Sequence, residues 1–486
     1  MTSRPKPTSL SSGYKSVGPR REHHYEMNDR MPNNGGPMTN DKAVDESSYP
    51  AHKRTLPLHH GKKVTKGVKA QGESGRRGVH PFHFLRICFR SSCTLSKFVN
   101  ILWPFVPAAF ALRYARPHQE LWIFVLSYIG MIPSANLLGF AGQEMGRKLP
   151  HVFGALLETT FGSIVEIILF MVLISRGDSF VPVIKAAILG SILANLLLCL
   201  GFCFFAGGLR RDEQEFHEAV SEVGSNLMLV AGMGLIVPAT FSTALTNEAD
   251  VTNKVLKISR ASSVILLVAY GCFVFFQMRS HHGLYTEVLE ADEEKDADKH
   301  RDAYKAKLTA TECIIAIAFA ITMVTFMAIF LIDKIEYIVN EHHIKDAQFS
   351  FVGLILIPVV EKAAEHITAI DEAWDDQMNF ALSHVLGASI QTALFNTPLV
   401  VIVSWGLGHK LDLNFEIFDA VVLILAILVV GNFLRDGKSN YLEGILCVLV
   451  YMIIAISAFY YPDPAHATGT VSGGEEAAAG HKFRRG

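Results

Sequence analysis

The sequence predicts an all-α polytopic membrane protein with about eleven transmembrane helices. Of its 486 residues, 50% are hydrophobic and only 19% are charged, and the mean hydropathy is +0.29, which is typical of membrane proteins. Apolar segments recur along the chain, each near the roughly 20 residues that cross a hydrocarbon core. The expected spans are residues 98–115, 121–143, 152–175, 181–207, 220–244, 258–279, 307–333, 347–370, 378–404, 416–434 and 441–461.

The segments around these spans divide the chain into five regions. Residues 1–95 are rich in Pro, Gly, Ser, Lys and His, and are expected to form a disordered basic cytosolic tail. The leading helix and first repeat occupy 98–280, and the second repeat occupies 307–461. Between them lies an acidic cytosolic linker, 281–306, which is either a solvated segment or one that attracts cations and regulates transport. Residues 462–486 form a short flexible tail.

Basic residues set the expected orientation in the membrane. Eleven spans that start in the cytosol place Arg147-Lys148, Arg210-Arg211 and Arg279 on the same side as the basic tail, as the positive-inside rule requires. The seven cysteines show no C-x-x-C pair, and most lie in apolar segments. We interpret them as small buried residues rather than as a zinc or disulfide framework.

Two halves of the chain carry the same pattern of charged and small residues. The third span contains Glu166, and the fourth contains Gly190-Ser191-Ile192-Leu193-Ala194-Asn195. The eighth span contains Glu365, and the ninth contains Gly387-Ala388-Ser389-Ile390-Gln391-Thr392. Because each half has five spans, an odd number, the halves insert with opposite orientations. The pattern therefore predicts one leading helix followed by two inverted five-helix repeats, a plan of secondary transporters.

Carboxylates inside the predicted spans mark the candidate site, since an ionisable residue in hydrocarbon is costly and usually functional. Residues three or four apart share a helix face. Glu158, Gly162 and Glu166 therefore form one slowly drifting stripe in steps of four, and Ser163 lies beside Glu166 at three apart. Glu361 lies on the face of Glu365, four residues away. Carboxylate and hydroxyl oxygens bind hard cations, so these residues predict a cation site.

Three further residues modify this prediction. Gln391 offers an amide oxygen, and His366 either handles protons or is a hydrogen-bonded packing residue. Lys362 has three donors and no acceptor, so it cannot coordinate a metal while charged. We expect it to pair with Glu158 or Glu361, or alternatively to extend to a membrane interface.

The chemistry of buried carboxylates favours exchange of a cation for protons. A low dielectric raises the pKa of an unpaired carboxyl and a bound cation lowers it, so the two ligands compete. The sequence contains no G-x-x-x-x-G-K-[ST] phosphate loop and no H-E-x-x-H or G-x-S-x-G motif. We therefore expect a secondary transporter that uses no cofactor, and not an enzyme.

Six motif blocks in order identify a resemblance. Residues 98–461 resemble the calcium/proton exchanger branch of the cation/calcium exchanger superfamily, in particular the vacuolar antiporters of fungi and plants. The matching blocks are Ile132-Pro133 with Leu137-Leu138-Gly139-Phe140-Ala141, Ala155-Leu156-Leu157 with Thr160-Phe161-Gly162 and Val165-Glu166, Gly190-Ser191-Ile192-Leu193 with Asn195-Leu196-Leu197, Phe204-Phe205-Ala206-Gly207-Gly208-Leu209, Ala363-Ala364-Glu365-His366, and Ser389-Ile390-Gln391 with Ala393-Leu394-Phe395.

The resemblance implies a function and a set of site residues. Glu166 and Glu365 would be the paired acidic residues that alternately bind the metal cation and the proton, and His366 and Gln391 are carried over by position. The implied activity is calcium/proton exchange by a multi-pass protein of the vacuolar membrane, or of another endomembrane. The implied partners are Ca²⁺ or another cation, H⁺ and the lipid bilayer, with no nucleic acid, and homo-oligomerisation is left open.

The chain departs from the family pattern at the site itself. The family motif Gly-Asn-Ala-x-Glu reads Gly162-Ser163-Ile164-Val165-Glu166, and Gly-Asn-Ala-Ala-Glu-His reads Glu361-Lys362-Ala363-Ala364-Glu365-His366. An earlier family Asn is Glu158. Three alternatives therefore stay open: calcium/proton exchange, exchange of a monovalent or other divalent cation, and a degenerate regulatory paralogue that does not transport.

Overall fold

The computed structural model of the chain describes residues 72–245, 250–295, 305–341 and 351–461. Most of the predicted N-terminal tail and the C-terminal tail lie outside these ranges. The helices are α1 Pro81–Arg90, α2 Thr94–Ala115, α3 Glu120–Gly146, α4 His151–Ser175, α5 Asp178–Gly208, α6 Glu218–Ala244, α7 Val251–Ser280, α8 His282–Lys295, α9 Ala310–Ile338, α10 352–374, α11 Met378–Gly406, α12 Ile417–Phe433 and α13 Tyr441–Tyr460.

Ten helices of the described chain are long and apolar enough to cross a membrane, namely all of these except α1, α8 and α10. The eleventh predicted span is α10, whose π-helical turn Val352–Leu356 continues into Ile357–Trp374. Its carboxylates and Lys362 make it more polar than the others, but Lys362 itself is fully buried. The part of α10 that carries Lys362 therefore lies among other helices, and the prediction of about eleven spans is confirmed.

The two repeats pack against each other in matching pairs. Helix α3 packs on α9 and α6 on α12, which are equivalent positions in the two halves. Helix α5 packs on α13, and α7 packs on α11. Both α5 and α11 contain a π-helical turn at the same place in the repeat, Ala194–Cys199 and Thr392–Asn396. The helical architecture thus follows the internal repeat of the sequence.

Glycines allow α5 and α10 to approach closely. A Cβ atom on Gly190 would overlap the backbone carbonyl of Leu354. On the facing turn, a Cβ atom on Gly353 would lie 2.7 Å from both the carbonyl oxygen of Val183 and the Cβ of Ala186. Small residues at such crossings let backbones pack without intervening side chains. This crossing joins the first repeat to the helix that carries Glu365.

Helix α1 differs from the disorder expected for residues 1–95. Its apolar residue Ile87 is buried in a small cluster with Phe140, Leu308 and Cys313. Cys88 packs against the same cluster, and burial raises the pKa of its thiol to about 12. A short amphipathic segment that finds an apolar partner gains enough burial to fold, which composition alone does not reveal.

Helix α8 occupies the acidic linker and is docked on the membrane helices. Asp292 is fully buried, and its carboxylate accepts hydrogen bonds from the backbone N–H of Asn379 at 2.7 Å and from the Asn379 amide at 2.9 Å. It thereby caps the N-terminus of α11. Tyr285 donates to the carbonyl of Ala219. This part of the linker is therefore packed rather than fully solvated.

A two-residue strand pair joins two loops at the same end of the bundle as α8. Strand β1, Gln214–Glu215, runs antiparallel to β2, Lys438–Ser439, with Gln214 opposite Ser439. The Gln214 amide donates to the carbonyl of Ala373 at 2.9 Å. The pair ties the loops after α5 and α12 to the end of α10, and is a small exception to the all-α prediction.

We expect Gly190→Ala to lower the thermal unfolding temperature of the purified protein, because overpacking at a backbone crossing costs about 1–3 kcal/mol. Gly271→Ala is the matched control, since no atom lies within 4 Å of its added Cβ and Ala favours a helix by about 1 kcal/mol over Gly. Unfolding in detergent, followed by size-exclusion chromatography of heated samples, measures both. Equal stability of Gly190→Ala and the wild type would contradict the close crossing.

Candidate cation site

The charged residues of the two repeats meet inside the helix bundle. Glu166 on α4 and Lys362 on α10 have fully buried side chains, and Lys362 Nζ lies 3.1 Å from Glu166 Oε2. The same ammonium lies 3.4 Å from Glu365 Oε2, whose side chain is 21% exposed. Lys362 therefore bridges the acidic residue of one repeat and that of the other.

The π-helical turn of α11 completes the surroundings of Glu166. Thr392 Oγ1 and Asn396 Nδ2 each donate to Glu166 Oε2 at 2.8 Å. These donors are four residues apart, so they share one face of α11. Thr397 Oγ1 donates to the Thr392 carbonyl at 2.7 Å, which satisfies a backbone group that the wider turn releases. Such turns occur frequently at functional sites.

The π-helical turn of α5 makes the equivalent contact in the opposite direction. Asn195 lies in this turn, and its Oδ1 is 3.2 Å from Nε2 of His366 on α10. The π-helical turn of each repeat thus forms hydrogen bonds with a residue of the other repeat, Glu166 on α4 in one case and His366 on α10 in the other. His366 is only 7% exposed, and this hydrogen bond favours the packing interpretation of its imidazole while fixing the helix next to Glu365.

Several oxygens around the ion pair receive no hydrogen bond from any described residue. They are Glu166 Oε1, Ser163 Oγ, Gln391 Oε1 and Asn396 Oδ1, and all four residues are almost fully buried. Buried oxygens without donors are costly unless a ligand, water or ion satisfies them. Carboxylate, hydroxyl and amide oxygens are the types that hard cations bind. The arrangement therefore suits a cation held between α4, α10 and α11.

Glu361 adds a second buried carboxylate on α10. It is 2% exposed, and it lies near the Ser191 hydroxyl and the carboxylates of Glu166 and Glu365. Like charges held together in a low dielectric repel each other strongly. Lys362, among these three carboxylates, is the group that offsets their repulsion.

The structure corrects the expected partner of Lys362. The sequence suggested Glu158 or Glu361 as its partner, or an interface, but its ammonium is buried and contacts Glu166 and Glu365. Glu365 is three residues after Lys362 on the same helix, a spacing that brings the two side chains together, whereas the contact with Glu166 depends on how α4 crosses α10. Gly162 has no side chain, and this allows the close approach at the crossing, because a Cβ atom at that position would overlap the Glu365 carboxylate.

Glu158 belongs to a second charged cluster, which we call the histidine cluster: Glu158, His384 and Glu372. His384 Nε2 lies 3.5 Å from Glu158 Oε2, and its Nδ1 lies 2.7 Å from Glu372 Oε2. The side chain of Gln143 hydrogen-bonds Glu158. Glu158 precedes Glu166 by two helical turns, about 12 Å at roughly 1.5 Å per residue. The structure therefore places Glu158 apart from Glu166.

A cavity of about 50 Å³ lies beside the histidine cluster. Its lining includes His384 and Gln391 from α11, Thr159 from α4, and Tyr285 and Leu289 from α8. Glu365 is 21% exposed, whereas Glu166 has no exposed surface. The cavity lies at the end of the bundle that carries α8, and its lining does not include Glu166, Lys362 or Glu365.

Sequence reasoning missed four residues that the structure brings to these clusters: Thr392, Asn396, Glu372 and His384. Each is a polar or ionisable residue within or at the end of a predicted span. The rule that polar residues inside a membrane helix are functional by default would have selected them. Thr392 and Asn396 are also four apart, the spacing that relates Glu361 to Glu365.

The fold and the site together define a class of protein: a membrane transporter of inverted repeats with ionisable residues from both repeats at its centre. The chain belongs to the sodium/calcium exchanger protein family, which matches residues 120–279 and 313–460. These ranges correspond to the two five-helix repeats.

Individual relatives agree with this assignment. The chain is 36% identical over 372 residues to vacuolar cation/proton exchanger 5 of Arabidopsis thaliana, covering 76% of this chain and 82% of that one. It is 32% identical over 371 residues to the vacuolar calcium ion transporter of Schizosaccharomyces pombe, covering 76% and 87%. The solved structure of native YfkE matches with a TM-score of 0.61 and 25% identity, over 75% of this chain and 100% of that one. The resemblance to calcium/proton exchangers, which are transporters and not enzymes, is confirmed.

We expect Lys362→Met to destabilise the protein by about 3–5 kcal/mol, the cost of leaving buried charges without their partner. Adding Glu166→Gln to it should restore part of this loss, because one of the unpaired carboxylates is removed. Lys438→Met is the matched control. Its ammonium pairs with Glu213 at 3.0 Å and both side chains are about half exposed, so its loss should barely change the stability. Thermal unfolding of the four proteins at neutral pH measures this, and a Lys362→Met variant as stable as wild type would contradict the buried pair.

Proposed function

We propose that this protein is a secondary active cation/proton antiporter that works by alternating access at Glu166 and Glu365. The observation that carries the proposal is the Lys362 bridge, which brings one buried carboxylate from each inverted repeat to a single point. A site shared by both repeats opens to either side of the membrane as one repeat moves against the other. No ATP site is needed, because the proton gradient supplies the free energy.

Competition among three positive ligands explains the exchange. In the described arrangement the Lys362 ammonium neutralises charge between Glu166 and Glu365. A cation that binds these carboxylates must displace the ammonium, since positive charges at contact distance repel. Protonation of Glu365 removes a ligand and releases the cation. The site then holds protons or a cation, and not both.

Calcium is the leading substrate, and the vacuolar membrane the leading location. This part of the proposal is supported by relatives that are named vacuolar cation/proton exchanger and vacuolar calcium ion transporter. With the basic segments in the cytosol, the cavity beside α8 opens to the cytosol. Calcium would enter from there and leave to the vacuolar lumen in exchange for protons, with no cofactor.

A monovalent cation is the second candidate, and Lys362 is the observation that favours it. With Glu166, Glu365 and Lys362 all ionised, the charges sum to −1, which matches a monovalent cation better than Ca²⁺. A contribution from Glu361 restores −2, so the charge state of that residue decides between the two. The differences from the family motif at Ser163, Glu361 and Lys362 motivate the third candidate, a paralogue that regulates without transporting.

Reconstituted vesicles with an acidic interior test the antiport function. We expect calcium, or sodium or potassium under the second candidate, to drive proton efflux in a panel that also includes manganese. Glu166→Gln and Glu365→Gln should reduce the efflux to that of protein-free vesicles, because neither amide binds a proton or neutralises a cation. Glu213→Gln, at an exposed ion pair with Lys438, is the control. Efflux that survives Glu166→Gln overturns the mechanism, and the absence of flux with every cation favours the regulatory paralogue.

Lys362→Asn, alone and with Glu361→Gly, tests the cation preference in the same vesicles. Removing the ammonium should increase the apparent affinity for calcium relative to sodium at least about tenfold. A unit charge at this range is worth more than the 1.4 kcal/mol that corresponds to tenfold, even at an effective dielectric constant near 20. An unchanged ratio of the apparent KM values for calcium and sodium would mean that Lys362 has no part in selectivity.

A further inference from the structure

We propose that the histidine cluster, Glu158, His384 and Glu372, is a proton relay between Glu365 and the end of the bundle that carries α8. This inference rests on the proposed antiport function and adds a second proton-binding station to it. It explains three ionisable residues that take no part in the ion pair at Glu166.

The geometry of the His384 imidazole favours proton transfer over the binding of a metal cation. His384 Nε2 faces Glu158 at 3.5 Å and Nδ1 faces Glu372 at 2.7 Å, so the ring stands between two carboxylates that lie on opposite sides of it. A metal needs lone pairs that converge on one point. No cluster of three metal-ligating side chains occurs in the described ranges. An imidazole with an acceptor at each nitrogen can instead take a proton on one side and release one on the other.

The histidine cluster lies closer than the ion pair to the end of the bundle that carries α8. His384 and Gln391 line the same cavity, and His384 is close enough to Glu365 for their charges to interact. His384 is 12% exposed, Glu372 16% and Glu158 22%, whereas Glu166 is completely buried. Glu158 and His384 lie near the starts of α4 and α11, and Glu372 lies near the end of α10. All three are therefore nearer to α8 than the ion pair is.

The transfer balances without any further reactant. When a cation arrives, the Glu365 carboxyl loses its proton, which passes to the Glu158 carboxylate and from there to Nε2, the ring nitrogen that faces Glu158. The proton on Nδ1 then passes to the Glu372 carboxylate, and from there to the aqueous side. The imidazole is then neutral with its proton on Nε2, and exchange of ring protons with water restores the Nδ1–H form for the next cycle. Glu158 stabilises the imidazolium while both nitrogens carry protons.

Ionisable groups on the helices packed around the histidine cluster surround the relay. The carboxylates favour the imidazolium, whereas the two tyrosines line the neighbouring cavity. These groups are Glu158 on α4, Glu365 and Glu372 on α10, Asp292 and Tyr285 on α8, Tyr270 on α7, and Arg147 after α3.

His384→Gln and Glu158→Gln test the relay in the full-length protein, reconstituted with the cation that the panel identifies. Two fluxes are compared: cation-driven proton efflux, and exchange of isotopically labelled for unlabelled cation, which moves no net proton. We expect proton efflux to fall about tenfold or more, since a positioned acid–base group contributes at least that much. The pH dependence of the efflux should also lose one titration step. Cation–cation exchange should stay within about twofold of wild type, because Glu166 and Glu365 are intact.

The matched control is His409→Gln, which removes an exposed imidazole 2.8 Å from Asp178 and should change neither flux. An equal fall of both fluxes in His384→Gln means a structural role, and no change in either means no role; both results overturn the relay. Cation–cation exchange without proton efflux in the wild type would instead overturn the antiport function, and the relay with it. Unaltered elution of each variant in size-exclusion chromatography establishes that it is folded.

Discussion

The ion pair of Lys362 with Glu166 and Glu365 is the interaction on which the rest of the site depends. Moving a carboxylate or an ammonium out of water costs several kcal/mol per ion, so each buried charge needs a partner and further hydrogen bonds. Thr392 and Asn396 supply those bonds to Glu166. Because the partners lie on α4, α10 and α11, satisfying one charge fixes the relative positions of helices from both repeats.

The backbone is shaped to make this pair possible. The π-helical turns Ala194–Cys199 and Thr392–Asn396 direct polar side chains of each repeat toward the ionisable helix of the other. The absence of a side chain at Gly162 leaves room for the Glu365 carboxylate. The carboxylate oxygens of Glu365 are buried like Glu166, although the Glu365 side chain as a whole is 21% exposed. The cavity lined by His384 and Gln391 also contacts α8. Hydrogen bonds between the repeats and a cavity at one end of the bundle are both consistent with a site that exchanges ligands with one side of the membrane at a time.

Much of the fold could be predicted because membrane insertion imposes simple rules. Apolar length located the spans, and the recurrence of Glu166 and Glu365 before Gly/Ser-containing helices revealed the repeat. These rules failed for two helices that are stabilised by packing against other parts of the protein. Helix α1 folds because Ile87 meets Phe140 and Leu308, and α8 docks because Asp292 caps α11. Composition gives no sign of either partner.

The sequence by itself determined the family and the membrane-spanning helices, because these depend on composition, periodicity and local motifs. Only the tertiary structure decided which charges on different helices meet. It paired Lys362 with Glu166, and it placed Glu158 with His384 and Glu372 instead. The physical reason is that spacing along one helix defines a face, whereas the partner of a buried charge is set by how neighbouring helices cross.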